Sequence, residues 1–146
     1  MDRRQILLTL ASGLFVAGCG APQTTSVSSS AASSGAIPQP QSGQGLVVLY
    51  RPYAAKGGAL RFMLTLNGSS ISSLANGTVV TQNVTPGQYT FVTSAPSVAG
   101  SSTVTTQVAA GQTVFIKGDT VLGYPTWRPR LVIVGEAQAR SEIAAM

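Results

Sequence analysis

Short runs of apolar and β-branched residues, separated by Gly, Pro and Asn, fill residues 46–135. This pattern is typical of strands, and Asn67-Gly68 between two runs is the strongest short signal for a β-hairpin. The predicted strands cover residues 46–51, 61–66, 69–74, 78–84, 88–93, 102–108, 113–117 and 130–134. Strands at this spacing indicate an antiparallel sandwich or barrel. We predict an all-β fold, an antiparallel β-sandwich of about seven or eight short strands.

The pattern changes on both sides of this region. Residues 136–146 are mainly helix formers, with Glu136 early and Ile143 as the main apolar residue, so we predict a short C-terminal helix. Residues 19–45 are rich in Ser, Pro, Gln and Gly and carry too little apolar surface to fold. We therefore predict a disordered linker that holds the domain roughly 25–30 Å from its N-terminal attachment.

Residues 1–18 have the anatomy of a signal peptide, because a charged start is followed by the apolar run 6–16 and then by small residues. That run is too short to span a membrane, which takes about 20 residues. The segment Val16-Ala17-Gly18-Cys19 ends with the chain's one cysteine and resembles the lipobox of bacterial lipoproteins. The resemblance implies cleavage before Cys19, a diacylglycerol thioether on its sulfur and often an acyl group such as palmitate on the new N-terminus.

The same resemblance bears on localisation and export. Gly20 follows the cysteine, where many Gram-negative bacteria use an aspartate to retain a lipoprotein at the inner membrane. This implies a cell envelope protein anchored in the outer membrane and facing the periplasm, if the host is of that kind. Arg3-Arg4 with an apolar pair two residues later fits a twin-arginine signal as well as an ordinary Sec leader.

Charge argues against a nucleic-acid partner. The chain has a formal charge of +5, and from residue 19 onward seven basic and three acidic side chains leave +4. The basic residues are scattered and form neither a run nor a helical stripe, so the footprint of a nucleic-acid binder is absent from the sequence.

Little in the composition points to catalysis. The sequence contains no histidine, which removes the commonest general base, the His-based triad and the usual zinc ligand. The three acidic residues of the mature region read as surface charges, and a Ser–Lys arrangement would need Lys56 or Lys117 beside a serine. We therefore expect a protein that is not an enzyme and has neither catalytic residues, a cofactor nor a metal.

The most distinctive candidate surface is the segment 123–130, predicted as a loop stiffened by two prolines. It offers Tyr124, Trp127, Arg128 and Arg130, residue types that anchor interfaces, stack on sugars and pair with anions. In the alternative interpretation, Trp127 plugs the end of the sandwich and Tyr124 covers a sheet edge.

Two further segments carry a second resemblance. They are 84–91, Val-Thr-Pro-Gly-Gln-Tyr-Thr-Phe, and 110–116, Ala-Gly-Gln-Thr-Val-Phe-Ile. With the Asn67-Gly68 hairpin they resemble small bacterial lipoproteins whose domain of unknown function is related in style to PEGA-type β-sandwiches. The likeness covers residues 46 to about 135 and implies a lipid-anchored envelope protein, with no catalytic residues to carry over.

These observations lead to one expected function and two alternatives. The leading hypothesis is a non-enzymatic, structural or partner-binding envelope module that uses the 124–130 segment or an exposed edge strand. The first alternative is an envelope glycan-binding module with Tyr124 and Trp127 as stacking platforms. The second is an envelope hydrolase with a serine nucleophile and Lys56 or Lys117.

Overall fold

The structure is a computed structural model that describes residues 30–32, 36–123 and 125–146. Nine strands and one helix lie in these residues. In chain order they are β1 (Ser30–Ala32), β2 (Gly45–Arg51), β3 (Phe62–Leu66), β4 (Ser69–Leu74), β5 (Thr78–Val84), β6 (Gly87–Ser94), β7 (Ser101–Val108), β8 (Thr113–Leu122), β9 (Trp127–Val134) and α1 (Glu136–Ala144). The predicted all-β class, the sandwich and the short C-terminal helix are confirmed.

The strands form two sheets. Sheet A has the order β1-β5-β2-β8-β9, and sheet B has the order β4-β3-β6-β7. Contacts between β7 and β9 join the sheets along one side of the sandwich, and contacts between β4 and β5 join them along the other. Different strands therefore close the two sides of the sandwich.

One pairing departs from the antiparallel prediction: β2 and β8 run parallel, with Leu46 opposite Thr113 and Tyr50 opposite Lys117. Both strands have continuous apolar runs, and every residue of β2 is buried. Such a run favours the centre of a sheet that is covered on both faces. The run of apolar side chains therefore explains why β2 lies inside the sheet, but it does not specify which strand lies beside it.

Two apolar layers cover sheet A. Alternate residues of β2 and β8, including Val47, Leu49 and Ile116, pack between the sheets with Phe62 and Phe91. The intervening residues Leu46, Val48, Tyr50 and Phe115 form a second cluster on the outer face with Ala139 and Ile143 of α1. The helix is therefore part of the core, held by two buried side chains.

The first hairpin forms as its sequence predicts. Asn67 has a φ of 47° and Gly68 a φ of 86°, the two positive values that a type I′ turn requires. Asn67 also accepts a hydrogen bond from the Thr90 backbone N–H at 2.9 Å through its side-chain oxygen. The turn is thus fixed to β6 as well as to its own strands.

Part of the predicted linker belongs to the domain. Ser30–Ala32 pairs antiparallel with β5 as an edge strand of sheet A, Ser30 opposite Thr81 and Ala32 opposite Val79. Further along, Ile37 packs against the outer cluster. At these positions the structure differs from the predicted disordered linker. Backbone pairing and one apolar side chain hold the segment on the domain, although its composition indicates disorder.

The part of the chain that the structure describes includes no helix with the length and apolar character needed to cross a membrane.

Candidate functional site

Several residues singled out from the sequence lie outside the described residues. They are Val16, Ala17, Gly18 and Cys19 of the lipobox, and Tyr124 of the candidate surface. Their roles stay predictions.

Trp127 and Arg128 belong to strand β9 instead of the predicted loop, with Trp127 opposite Leu122 on β8. Arg130, predicted as the first residue of the last strand, lies in β9 opposite Asp119. Pro129, which separates the arginines, is tolerated because β9 is an edge strand. Because the two prolines were interpreted as loop signals, the first half of this strand was not predicted.

The strand also divides the three side chains between two faces. Leu131 belongs to the inner cluster, and alternation along β9 places Trp127 on the same side, half-buried. Arg128 and Arg130 point to the opposite face and are exposed. Trp127 and the arginines are thus not brought together in one binding surface.

Arg130 is engaged within sheet A. Its Nη2 donates to the Asp119 carboxylate at 3.0 Å, with both side chains partly exposed. A pair in this setting contributes little to stability. Arg128 lies across Gly123, where an added Cβ would meet its Cδ at 2.6 Å. Both arginines therefore have local packing or pairing roles.

A buried arginine that sequence reasoning did not assign to the core closes one end of the sandwich. Arg51 is 1 % exposed, and its guanidinium lies over the Phe62 ring at 4.2 Å from the centroid. It donates to the Leu60 carbonyl and, at 2.6 Å, to the Gly57 carbonyl. These bonds hold the loop between β2 and β3.

Burial lowers the pKa of Arg51, and the charge of Asp119 acts in the opposite direction. Beside it lies a small cavity of about 210 Å³ whose wall includes Arg51, Tyr53, Lys117 and Asp119. Tyr53 is 77 % exposed at its rim. The mixture of positive and negative side chains shows no preference for a ligand of one charge.

A polar contact joins α1 to sheet A. Tyr50 donates to Glu142 at 2.8 Å, and Lys117 pairs with the same carboxylate at 3.0 Å. Lys117, the candidate partner of a nucleophilic serine, is thus engaged by an acidic side chain of the helix.

A second cavity, of about 290 Å³, opens between the β3–β4 hairpin and the end of β5. Its wall combines Leu66, Ile71, Val84 and the Tyr89 ring with polar side chains, Gln82 among them. Gln82 is 2 % exposed; its Nε2 donates to the Asn83 carbonyl at 3.2 Å, while its Oε1 has no hydrogen-bond partner in the described residues.

The edges of the two sheets differ in how they are protected against pairing with another chain. On sheet A, β1 covers part of β5, and β9 carries Pro129. The Leu131 backbone N–H, further along β9, donates to the Ser102 side chain at 3.0 Å. On sheet B, β4 is interrupted by a register shift opposite Leu64 and Thr65. These three edges are poor templates for a further strand.

The remaining edge, β7, is regular. Its eight residues pair with β6 without a register shift, and none of them is charged, proline or glycine. No strand in the described residues pairs with its other side. Of the four sheet edges, β7 is the best suited to bind a partner, because strand addition uses backbone groups that are already in line.

The described residues contain no group of three or more His, Cys, Asp or Glu side chains that could hold a metal ion. In comparisons with known proteins, no protein-family model, no curated protein and no solved structure matches the chain.

Proposed function

We propose that this chain is a lipid-anchored protein of the bacterial cell envelope that acts by binding a protein partner through an added strand at β7. The regular, uncharged edge of β7 is the single observation that carries the binding half of the proposal. The anchoring half depends on the lipobox resemblance of residues 16–19.

Strand addition suits a binding module of this composition. Main-chain hydrogen bonds supply the affinity, and the side chains on each face supply the specificity. An edge strand without charge or proline lacks two of the features by which proteins protect an edge against an incoming strand. The sequence also contains no histidine, the commonest general base, and this favours binding over catalysis.

The lipid would supply the location. One acyl chain gives only marginal membrane binding, whereas two or three chains hold a protein almost permanently, at about 0.8 kcal/mol per buried methylene. The diacylglycerol and acyl groups implied at Cys19 provide that number. The outer membrane, facing the periplasm, is the proposed site because Gly20 stands where a retention aspartate would lie.

Detergent phase partitioning and intact-mass measurement test the anchor. The wild-type chain expressed in a Gram-negative host should enter the detergent phase, with a mass that fits cleavage before Cys19 and added acyl chains. The Cys19→Ser variant should stay in the aqueous phase or retain its leader. Equal partitioning of the two proteins, with an unmodified cysteine in the wild type, would refute the anchor.

Substitutions on β7 test the binding half. In intact cells, a photo-crosslinking side chain introduced at Thr105 should capture a protein, whereas one at exposed Gln88, on the neighbouring β6, should capture much less of it. Equal capture at both positions would show that β7 is not the binding edge.

A further inference from the structure

The backbone of β7 presents a defined row of free groups. Asn67 donates to the Thr90 carbonyl and accepts from the Thr90 N–H, each at 2.9 Å, so the Thr90 backbone faces the β3 side of sheet B. The N–H and C=O groups of successive residues alternate in direction along an antiparallel strand. The backbone groups of Phe91 and of its partner Val104 therefore point toward each other. Every second residue of β7 therefore directs its N–H and C=O away from β6: Ser101, Thr103, Thr105 and Gln107.

This row can pair with itself. In an antiparallel arrangement around a twofold axis through Val104, the four outward residues meet as two kinds of pair, Ser101 with Gln107 and Thr103 with Thr105. Each such pair exchanges two hydrogen bonds, so the four pairs across the axis form about eight. A twofold axis through Thr105 leaves only three such pairs, about six bonds. The first register is therefore the better one.

The side chains fit the same register. Thr103 would face Thr105 of the second copy on the exposed face, and this strand already uses a threonine pair, since Thr105 and Thr90 approach to 3.1 Å between their hydroxyl oxygens. Cross-strand threonine pairs stabilise sheets. Half-buried Val104, which packs against the inner cluster, would contact its own copy. No like charges would meet, because β7 carries none.

We infer that β7 binds β7 of a second copy of this chain, which joins two B sheets into one continuous antiparallel sheet centred on Val104. This inference deepens the proposed function and rests on its binding edge, but not on its lipid anchor. The partner is thus specified by chemistry: an uncharged, hydroxyl-rich strand of complementary register, which the chain itself supplies.

Disulfide cross-linking tests the register. The full chain with Cys19→Ser has no thiol, so each added cysteine reports on one position. Val104→Cys should give a disulfide-linked dimer under mild oxidation, because Cα atoms at a non-hydrogen-bonded pair lie about 4.5 Å apart, within the range that a disulfide spans.

Two matched variants serve as controls. In the proposed register, Thr105→Cys would lie about 9 Å from its copy and Thr106→Cys about 14 Å, both beyond disulfide reach. Each should cross-link at least tenfold less than Val104→Cys. Strong cross-linking at Thr105→Cys with little at Val104→Cys would overturn the register, and equal yields at all three would overturn specific pairing.

A charge test needs no cysteine. In the Cys19→Ser chain, Thr103→Lys with Thr105→Lys places two cations opposite each other across the axis and should weaken dimerisation at least tenfold by sedimentation equilibrium. Thr103→Lys with Thr105→Glu places opposite charges there and should restore it. A parent chain that is monomeric up to high micromolar concentration refutes the second copy as partner and leaves the lipid anchor, tested by partitioning, unaffected.

Discussion

Tyr50 donates a 2.8 Å hydrogen bond to Glu142, which ties the central strand β2 to the C-terminal helix α1. Lys117 on β8 adds a 3.0 Å ion pair to the same carboxylate. Ala139 and Ile143 are the two buried residues of the helix. This polar contact therefore orients a helix whose apolar contact with the sheet is narrow.

Removal of the Tyr50 hydroxyl tests that contact. We expect Tyr50→Phe to lower the free energy of unfolding by about 1–2 kcal/mol, because a part-buried acceptor on Glu142 loses its donor. Urea denaturation measures the change. Tyr53→Phe, on a side chain 77 % exposed, should change stability by less than about 0.5 kcal/mol. Equal effects of the two substitutions would contradict the assignment.

The contact should depend on pH, because one of its members is the Glu142 carboxylate. Partial burial alone would raise the pKa of Glu142, but hydrogen bonds from Gln138, Lys117 and Tyr50 together with the charge of Lys117 hold it below its usual range. A pKa lowered by folding contributes stability above the unfolded-state pKa, and the contribution is lost as the pH falls through the folded-state value.

We therefore expect Glu142→Gln to destabilise the protein at pH 7 by about 1 kcal/mol and to cost progressively less below about pH 4. Thermal unfolding of both proteins from pH 7 to pH 3 measures the difference. Glu136→Gln, at an exposed pair with Arg140, serves as the control. A stability difference for Glu142→Gln that stays constant across this range would argue against the lowered pKa.

At alkaline pH the relevant group is the Tyr50 hydroxyl. Burial, followed by the hydrogen bond to Glu142 and its negative charge, raises the pKa of Tyr50 far above its usual value. A raised pKa contributes stability below the unfolded-state value, about 10, and loses it as the pH rises through the folded-state value. In a spectrophotometric titration, one of the four tyrosines should ionise only when the protein unfolds, and Tyr50→Phe should remove that component.

Arg51 is the clearest case of a charged side chain that the fold requires. Arg51→Lys should lower the free energy of unfolding by about 2 kcal/mol, because an ammonium cannot both stack on Phe62 and reach the carbonyls of Leu60 and Gly57. Arg61→Lys, on an exposed residue, is the matched control. Hydrogen exchange at loop residues 52–61 should accelerate in the first variant and not in the second.

Substitution of Gln82 should not lower the free energy of unfolding, in contrast to substitution of Arg51. Its buried Oε1 has no partner in the described residues, so Gln82→Met should be neutral or stabilising by up to about 1 kcal/mol. Gln88→Met at an exposed position of β6 provides the comparison. A loss of more than about 2 kcal/mol at Gln82 would mean that the amide has a partner, such as an ordered water, in solution.

Much of the fold could be read from local patterns. The apolar run at the start of residues 46–51 predicted a strand, Asn67-Gly68 predicted a hairpin, and the helix formers after Gly135 predicted α1. These signals are local because they depend on turn geometry and on which face of an element is apolar.

The remaining features depend on distant contacts. The parallel pairing of β2 with β8 and the docking of Ser30–Ala32 on β5 are contacts with distant segments, which alternation does not encode. Burial of Arg51 was not predicted, because its carbonyl partners lie in a loop that only the fold brings close to it. Pro129 read as a loop signal, although it lies where an edge strand accepts proline.

The docking of β1 has a consequence for the orientation of the protein. From Cys19, a chain can extend at most about 40 Å to Ser30, compared with about 90 Å to Gly45. A lipid at Cys19 would thus draw the β1 side of the sandwich toward the bilayer, and β7 lies on the side where it meets β9, at the far end of both sheets from β1. In the proposed pairing the twofold axis turns the β1 side of the second copy the opposite way, so the two anchors leave from opposite ends of the joined sheet. Both anchors can enter one bilayer only when that joined sheet lies along the membrane surface.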